Sequence, residues 1–163
     1  MPLLWNHKQA PVLNALDAVT RGWFPRKVHG HWIFGLPKSG TTVFAAALSE
    51  VTSSSALLDT PLLWGTAIQP LNESEMKALV AAHPVTFAPT LWKEPNATFY
   101  PEAAMAASQA TRHILLVRGT LQNIRSHMDR LGLKGDATSV DLAALHPNHR
   151  PAFLAHAEDP PAL

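Results

Sequence analysis

The sequence predicts an α/β protein in which helices flank a central parallel sheet, giving three layers. Short apolar runs at residues 32–34 and 56–58 are strand candidates, and the four apolar residues 114–117 are expected of a strand covered on both faces. Stretches of helical periodicity separate these runs, and this alternation is typical of parallel crossover units. The length of 163 residues suits one domain with a proper core.

The remaining elements rest on local signals. Apolar residues recur at helical spacing over residues 9–19, and Asn72 or Ser74 offers the cap of a later helix. Residues 85–92 predict a further strand, which Pro89 makes irregular or places at a sheet edge. The expected helices cover residues 9–19, 43–48, 101–110 and 120–131, and another runs from the cap at Asn72 or Ser74 to near residues 83–84.

Each predicted strand is followed by polar residues. Because ligands bind at the carboxyl ends of the strands in parallel sheets, we expect these side chains to gather at one rim and to form a site. The residues at this rim are Lys38, in a Gly-rich loop after the first strand, and then Asp59, Lys93, Glu94 and Arg118.

Composition excludes several classes of protein. The net charge is +1, so nothing in it indicates a nucleic-acid partner. The chain has no cysteine, and its nine histidines show no convincing metal-binding spacing. We find no segment of membrane-spanning length and expect a soluble, cytoplasmic protein. Only 15% of the residues are charged, against a typical share of about 25%. The apolar surface that this leaves is expected to be covered by a partner subunit, as in a homo-oligomer, or by a missing segment.

The Gly-rich loop at residues 35–42 has the features of a phosphate-binding loop. Gly35 and Gly40 allow a tight turn, and the start of the following helix directs N–H groups and a positive dipole end at a ligand. An ordinary nucleotide-triphosphate loop has a lysine directly after its second glycine, but Thr41 occupies that position here. The only lysine of the loop, Lys38, precedes Gly40 by two residues.

These features resemble the 5′-phosphosulfate loop of sulfotransferases, which use 3′-phosphoadenosine 5′-phosphosulfate (PAPS) as sulfuryl donor. A second resemblance is Arg118 at a strand end with Ser126 eight residues later, similar to the signature that holds the 3′-phosphate of PAPS. Residues 93–100 are similar to a Lys-Ser/Thr-Pro/Ala segment found in many carbohydrate and bacterial members. The residues that carry the loop resemblance are Pro37, Lys38, Ser39, Gly40, Thr41 and Thr42.

The resemblance implies a P-loop-like fold and a role for each donor-site residue. Lys38 would stabilise the charge that develops on the bridging oxygen of the leaving nucleotide, 3′-phosphoadenosine 5′-phosphate (PAP). Backbone N–H groups and hydroxyls of residues 39–42 would hold the 5′-phosphate. Arg118 and Ser126 would select the 3′-phosphate, and no metal is expected.

The acceptor would be a hydroxyl or amine of a small molecule or a carbohydrate, and it needs a general base. Many cytosolic members use a histidine two residues after the strand-end lysine, but that position is Pro95 here. Carbohydrate-type members use a glutamate near the end of the second strand, where this chain has Asp59, so we favour Asp59 over Glu94. Lys93 either assists at the sulfuryl group or forms a structural ion pair.

The resemblance runs from about residue 32 to residue 133, and we expect residues 1–135 to form the PAPS-binding domain. Residues 136–163 are Pro-rich and are expected to be a tail of the same domain or a segment packed on a partner. Family domains extend further, so the chain resembles a short or truncated member. Two alternatives stay open: a P-loop kinase or NTPase, and a catalytically impaired PAP- or PAPS-binding remnant.

Overall fold

The computed structural model describes residues 4–20, 28–67 and 69–132. The chain divides into two compact units, residues 1–118 and residues 119–163. The described part of the first unit contains a five-stranded sheet and four α-helices, and that of the second contains one helix. The expected Pro-rich tail at residues 136–163 lies outside the described residues.

The sheet of the first unit is entirely parallel, as the sequence predicts. The strand order is β1-β3-β4-β2-β5, so the chain crosses over between every pair of consecutive strands. Parallel neighbours need such crossovers, and helices supply most of them here. The strands are β1 Leu4–Asn6, β2 His31–Phe34, β3 Ala56–Leu58, β4 Leu91–Lys93 and β5 Ile114–Leu115.

Helices cover both faces of this sheet and complete three layers. On one face Ala45 packs among Ile33 and Leu58. On the other face Met76 and Ala104 belong to a cluster with indole rings of the sheet. The helices are α1 Ala10–Thr20, α2 Thr41–Thr52, α3 Glu73–Ala82 and α4 Pro101–Ala106, with α5 Thr120–Leu131 in the second unit.

Two buried tryptophans fix the relation between β2 and β4. Trp32 and Trp92 pack edge to face with ring centroids 5.1 Å apart. Trp32 Nε1 donates to the carbonyl of Ala104 and Trp92 Nε1 to that of Pro89, both at 2.7 Å, so each buried indole N–H has an acceptor. Buried and hydrogen-bonded indoles thus lie on both of these neighbouring strands.

Most helix predictions are confirmed. Asn72 caps α3 with a reciprocal capping box, in which its side chain accepts from Glu75 N and the Glu75 carboxylate accepts from Asn72 N. No helix in the described part of the chain is both long and apolar enough to cross a membrane.

Two strand predictions need correction. Residues 85–92 were expected to be a strand, but only Leu91–Lys93 pairs, because a turn held by Asp17 occupies the earlier residues. Residues 114–117 were predicted to form a strand covered on both faces, and this is wrong. The strand there, β5, has only two residues and lies at the sheet edge. Val117 is 84% exposed. The edge strand β1 was not predicted.

Candidate functional site

The topology has a switch point at the carboxyl ends of β2 and β4. The chain leaves β2 toward α2 on one face of the sheet, and it leaves β4 toward α4 on the opposite face. Adjacent strands whose connections leave to opposite faces open a crevice there, where ligands of parallel sheets bind. The predicted polar rim lies at this position.

The Gly-rich loop connects β2 to α2, and its backbone conformation favours glycine at positions 35 and 40. Gly35 is buried with a φ of 154°, and a Cβ there would lie 2.6 Å from Thr41 Cγ2 and 2.9 Å from the carbonyl oxygen of Leu116. Gly40 has a φ of 90° and precedes α2 without a side-chain cap. The first turn of α2 therefore presents its N–H groups without a capping side chain.

The middle of the loop is a turn with an unusual backbone at Lys38. Lys38 has a φ of 67°, in the left-handed region that costs a non-glycine residue about 1–3 kcal/mol. Ser39 N and Ser39 Oγ both donate to the carbonyl of Leu36, at 3.0 and 2.6 Å. The Ser39 hydroxyl would have to exchange that bond in order to donate to a phosphate.

Arg118 reaches this loop from the far end of β5. Its Nη1 donates to the carbonyl oxygen of Lys38 at 2.7 Å, across 80 residues of sequence. Lys38 itself has no ion pair within the described residues. The Arg118 side chain is thus held against the backbone of the loop that carries Lys38, within the first unit.

A second contact, with Thr98, holds the start of the loop. Gly35 N donates to Thr98 Oγ1 at 2.9 Å, and the same hydroxyl donates to the Gly35 carbonyl at 3.2 Å. Thr98 belongs to the short helix Pro95–Phe99 that follows β4. Sequence reasoning missed this role, although Thr98 lies within the segment 93–100 that had been singled out.

Lys93 and Asp59 form an ion pair at the ends of β4 and β3. Lys93 Nζ lies 2.5 Å from Asp59 Oδ1, and Asp59 N donates to the Lys93 carbonyl at 3.0 Å. The lysine side chain is only 4% exposed, whereas that of the aspartate is 34% exposed. The predicted ion pair is present, and the aspartate is its accessible member.

Glu94 is a buried carboxyl beside this pair. Its Oε1 accepts from Asn96 N and Asn96 Nδ2, at 3.2 and 3.1 Å, while its buried Oε2 has no hydrogen-bond partner within the described residues. Burial, reinforced by the negative charge of Asp59, raises the pKa of Glu94 to about 8. Glu94 is therefore mostly protonated at neutral pH.

The hydroxyl of the buried Tyr100 is a further polar group of this region. The Tyr100 hydroxyl lies 2.5 Å from Thr66 Oγ1, which donates to the carbonyl of Leu63. Burial raises the pKa of Tyr100, and the charge of Glu94 acts in the same direction. The phenol thus stays neutral and available as a hydrogen-bonding group.

Ser126 lies within α5, in the second compact unit, and its side chain is half-buried. Its pairing with Arg118 on one phosphate stays a prediction. Comparison with protein-family models, with curated proteins and with solved structures gives no match for this chain.

Proposed function

We propose that this chain is a sulfotransferase that moves a sulfuryl group from PAPS to a hydroxyl or amine. The observation that carries the proposal is the hydrogen bond between Arg118 and the carbonyl of Lys38. Each residue belongs to a separate motif similar to a PAPS-binding signature, and the two motifs lie far apart in sequence. Their contact at the carboxyl end of a parallel sheet supports one shared anionic ligand.

The chemistry of the loop fits the 5′-phosphate end of such a donor. The uncapped start of α2 favours an anion, and Thr41 and Thr42 add hydroxyls at that helix end. Hydrogen bonds to a charged group contribute roughly 1.5–3 kcal/mol each, so a few of them suffice for micromolar binding. Arg118 supplies the cation for the 3′-phosphate, and Ser126 is proposed as its companion.

The reaction is an in-line displacement at sulfur. The acceptor oxygen or nitrogen forms a bond to sulfur while the bond from sulfur to the 5′-phosphate oxygen breaks, and the acceptor proton leaves to a base. Lys38 is proposed to stabilise the negative charge that develops on the departing phosphate oxygen. A P-loop-like fold with no metal requirement is part of this proposal.

The two candidate bases, Asp59 and Glu94, differ in their solvent exposure. Asp59 is one-third exposed, so its carboxylate is accessible to an acceptor, whereas Glu94 is only 3% exposed. Asp59 is therefore the proposed general base. Lys93 is too deeply buried to be the first choice for contact with the sulfuryl group, and its proposed role is to orient the Asp59 carboxylate through Oδ1.

The competing class is a P-loop kinase or NTPase, which needs a carboxylate for Mg²⁺. Asp59 is the only aspartate that directly follows a strand within the described residues, and its Oδ1 is engaged by a lysine. A cation at that position would face the charge of Lys93, which favours a metal-independent donor.

A small-molecule or carbohydrate acceptor, a cytoplasmic location and a homo-oligomer remain parts of the proposal.

Calorimetric titration with PAP and with ATP, both without Mg²⁺, tests the donor site. We expect micromolar PAP binding, much weaker ATP binding, and a loss of at least about tenfold in PAP affinity for Lys38→Ala and Arg118→Ala. Matched controls are Lys77→Ala and Arg112→Ala, which remove exposed cations outside the loop. A further ATP titration with Mg²⁺ is run in parallel, and tight ATP binding there, or no PAP binding, would refute the proposal.

Turnover distinguishes an enzyme from a binding remnant. Sulfate transfer from labelled PAPS is measured against hydroxyl and amine acceptors, with the wild type beside Asp59→Asn. We expect Asp59→Asn to bind PAP normally and to lose about 10²–10⁴-fold in kcat, the usual contribution of a general base. PAP binding without turnover on any acceptor would favour the remnant.

A further inference from the structure

The hydrogen bond of Arg118 is made to the peptide group that follows Lys38. The carbonyl of this peptide accepts from Arg118 Nη1 at 2.7 Å, and its N–H, that of Ser39, donates to the Leu36 carbonyl at 3.0 Å. One peptide plane is therefore held from both sides. The residue before that plane, Lys38, has the left-handed φ of 67° that its side chain disfavours.

We infer that Arg118 is a positioning residue for Lys38 as well as a phosphate ligand, so that recognition of the 3′-phosphate is coupled to placement of the Lys38 ammonium. The coupling to a nucleotide rests on the proposed function. The positioning role itself rests on the contact alone and exists without a ligand.

The shape of a guanidinium allows both tasks at once. It carries five N–H donors in a rigid plane, and Arg118 uses Nη1 on the carbonyl of Lys38. The remaining donors can take a phosphate in a bidentate arrangement. A phosphate bound there restricts the guanidinium, and the guanidinium in turn restricts the loop. A lysine ammonium, which is a point charge on a flexible stem, lacks this bridging geometry.

The consequence is a form of donor selection. A nucleotide that lacks the 3′-phosphate leaves Arg118 restrained only by the loop, so Lys38 is placed less firmly for the reaction. The 3′-phosphate would thus add to catalysis as well as to affinity, because it organises a group that acts at the other end of the donor.

Amide NMR of the ligand-free protein tests the positioning role. Arg118→Ala is expected to shift the Ser39 and Gly40 amide resonances and to speed hydrogen exchange of the Ser39 amide, which donates to the Leu36 carbonyl, about tenfold. The matched control is Arg112→Ala, which removes another exposed arginine of the same unit. Unchanged Ser39 and Gly40 amides in Arg118→Ala, within a folded protein, would overturn the inference.

Titration with PAP and with 5′-AMP, which lacks the 3′-phosphate, tests the coupling. We expect Arg118→Ala to weaken PAP by about a hundredfold and 5′-AMP by about tenfold, and Arg118→Lys to recover PAP binding only in part. A variant that loses PAP but binds 5′-AMP like the wild type would show that Arg118 reads the 3′-phosphate alone. If the wild type bound neither nucleotide, the proposed function would fail, whereas the amide measurement would still decide the positioning role.

Discussion

Lys93 Nζ lies 2.5 Å from Asp59 Oδ1, and the lysine is nearly buried whereas the aspartate is one-third exposed. Removing the aspartate charge leaves an ammonium in the protein interior without its counter-ion, which is more costly than losing the ion pair itself. The pair is thus a structural requirement of the rim as well as part of the proposed acceptor site.

We predict that Asp59→Asn lowers the free energy of unfolding by about 2–3 kcal/mol, and that Lys93→Met recovers part of this loss in the double variant. Asparagine tolerates the left-handed φ of 53° at this position, so the backbone adds little to the effect. Urea unfolding of the four proteins in the cycle measures the coupling. The exposed pair Lys77 and Glu73 on α3 is the control, with an expected coupling of only about 0.3–0.5 kcal/mol. Equal coupling in the two pairs would contradict the prediction.

Glu94 is predicted to make stability fall as pH rises. Its pKa is about 8 in the folded chain against an ordinary value of 4.5, so folding favours the protonated form. This contribution is fully present below about pH 4.5 and is lost as pH rises through about 8, on the order of a few kcal/mol in total. Glu94→Gln removes the titration, and urea unfolding between pH 5 and 9 should then show a flatter profile.

The control for this experiment is Glu102→Gln, which neutralises an exposed carboxylate at the start of α4. It should keep the wild-type slope of stability against pH over the same range. If Glu94→Gln kept that slope as well, a different group would be responsible for it.

Local signals account for the parts of the fold that the sequence predicted correctly. The cap of α3 needs only Asn72 and Glu75, three residues apart, and both were visible in the sequence. The apolar run at 114–117 carried no comparable information about its neighbours. Whether a strand is central or at an edge depends on pairing across the whole chain, and β5 has β2 as its neighbour on one side only.

The candidate site, like the fold, was predicted only in part from the sequence. Strand-end positions predicted that polar residues gather at one rim, because parallel strands share one carboxyl edge. The contact of Lys93 with Asp59 and that of Arg118 with the Lys38 carbonyl agree with this prediction. The contact between Thr98 and Gly35 was not predictable, since it depends on the path of a short helix after β4. The burial of Glu94, which raises its pKa, likewise follows from packing and leaves no signal in the sequence.

Asp17 explains why residues 85–92 do not form a full strand, and it supplies a third prediction. Its buried carboxylate accepts from Val85 N at 2.6 Å, from Thr86 N at 3.3 Å and from Thr86 Oγ1 at 2.5 Å. Asp17→Asn replaces one acceptor oxygen by an NH₂ group and should destabilise the chain by about 2 kcal/mol. Thermal unfolding measures the loss, and the double variant with Thr86→Val should recover part of it.

Asn14, an exposed residue of the same helix, provides the comparison for Asp17. Asn14→Ala is expected to change stability by no more than about 0.5 kcal/mol. An equally small effect of Asp17→Asn would mean that the turn at residues 84–87 does not depend on this carboxylate.

The two glycines of the loop should respond differently to alanine. At Gly35 a Cβ would lie 2.6 Å from Thr41 Cγ2 and 2.9 Å from the Leu116 carbonyl, so β2, β5 and α2 would have to separate. At Gly40 a Cβ meets no heavy atom within 4 Å, and only the left-handed backbone opposes it. We predict losses of at least about 3 kcal/mol for Gly35→Ala and about 1–2 kcal/mol for Gly40→Ala, measured by urea unfolding. Gly40→Ala is expected to stay folded, so its PAP affinity reports directly on the shape of the loop. Similar losses of stability in the two variants would contradict the close contacts at Gly35 and the open space at Gly40.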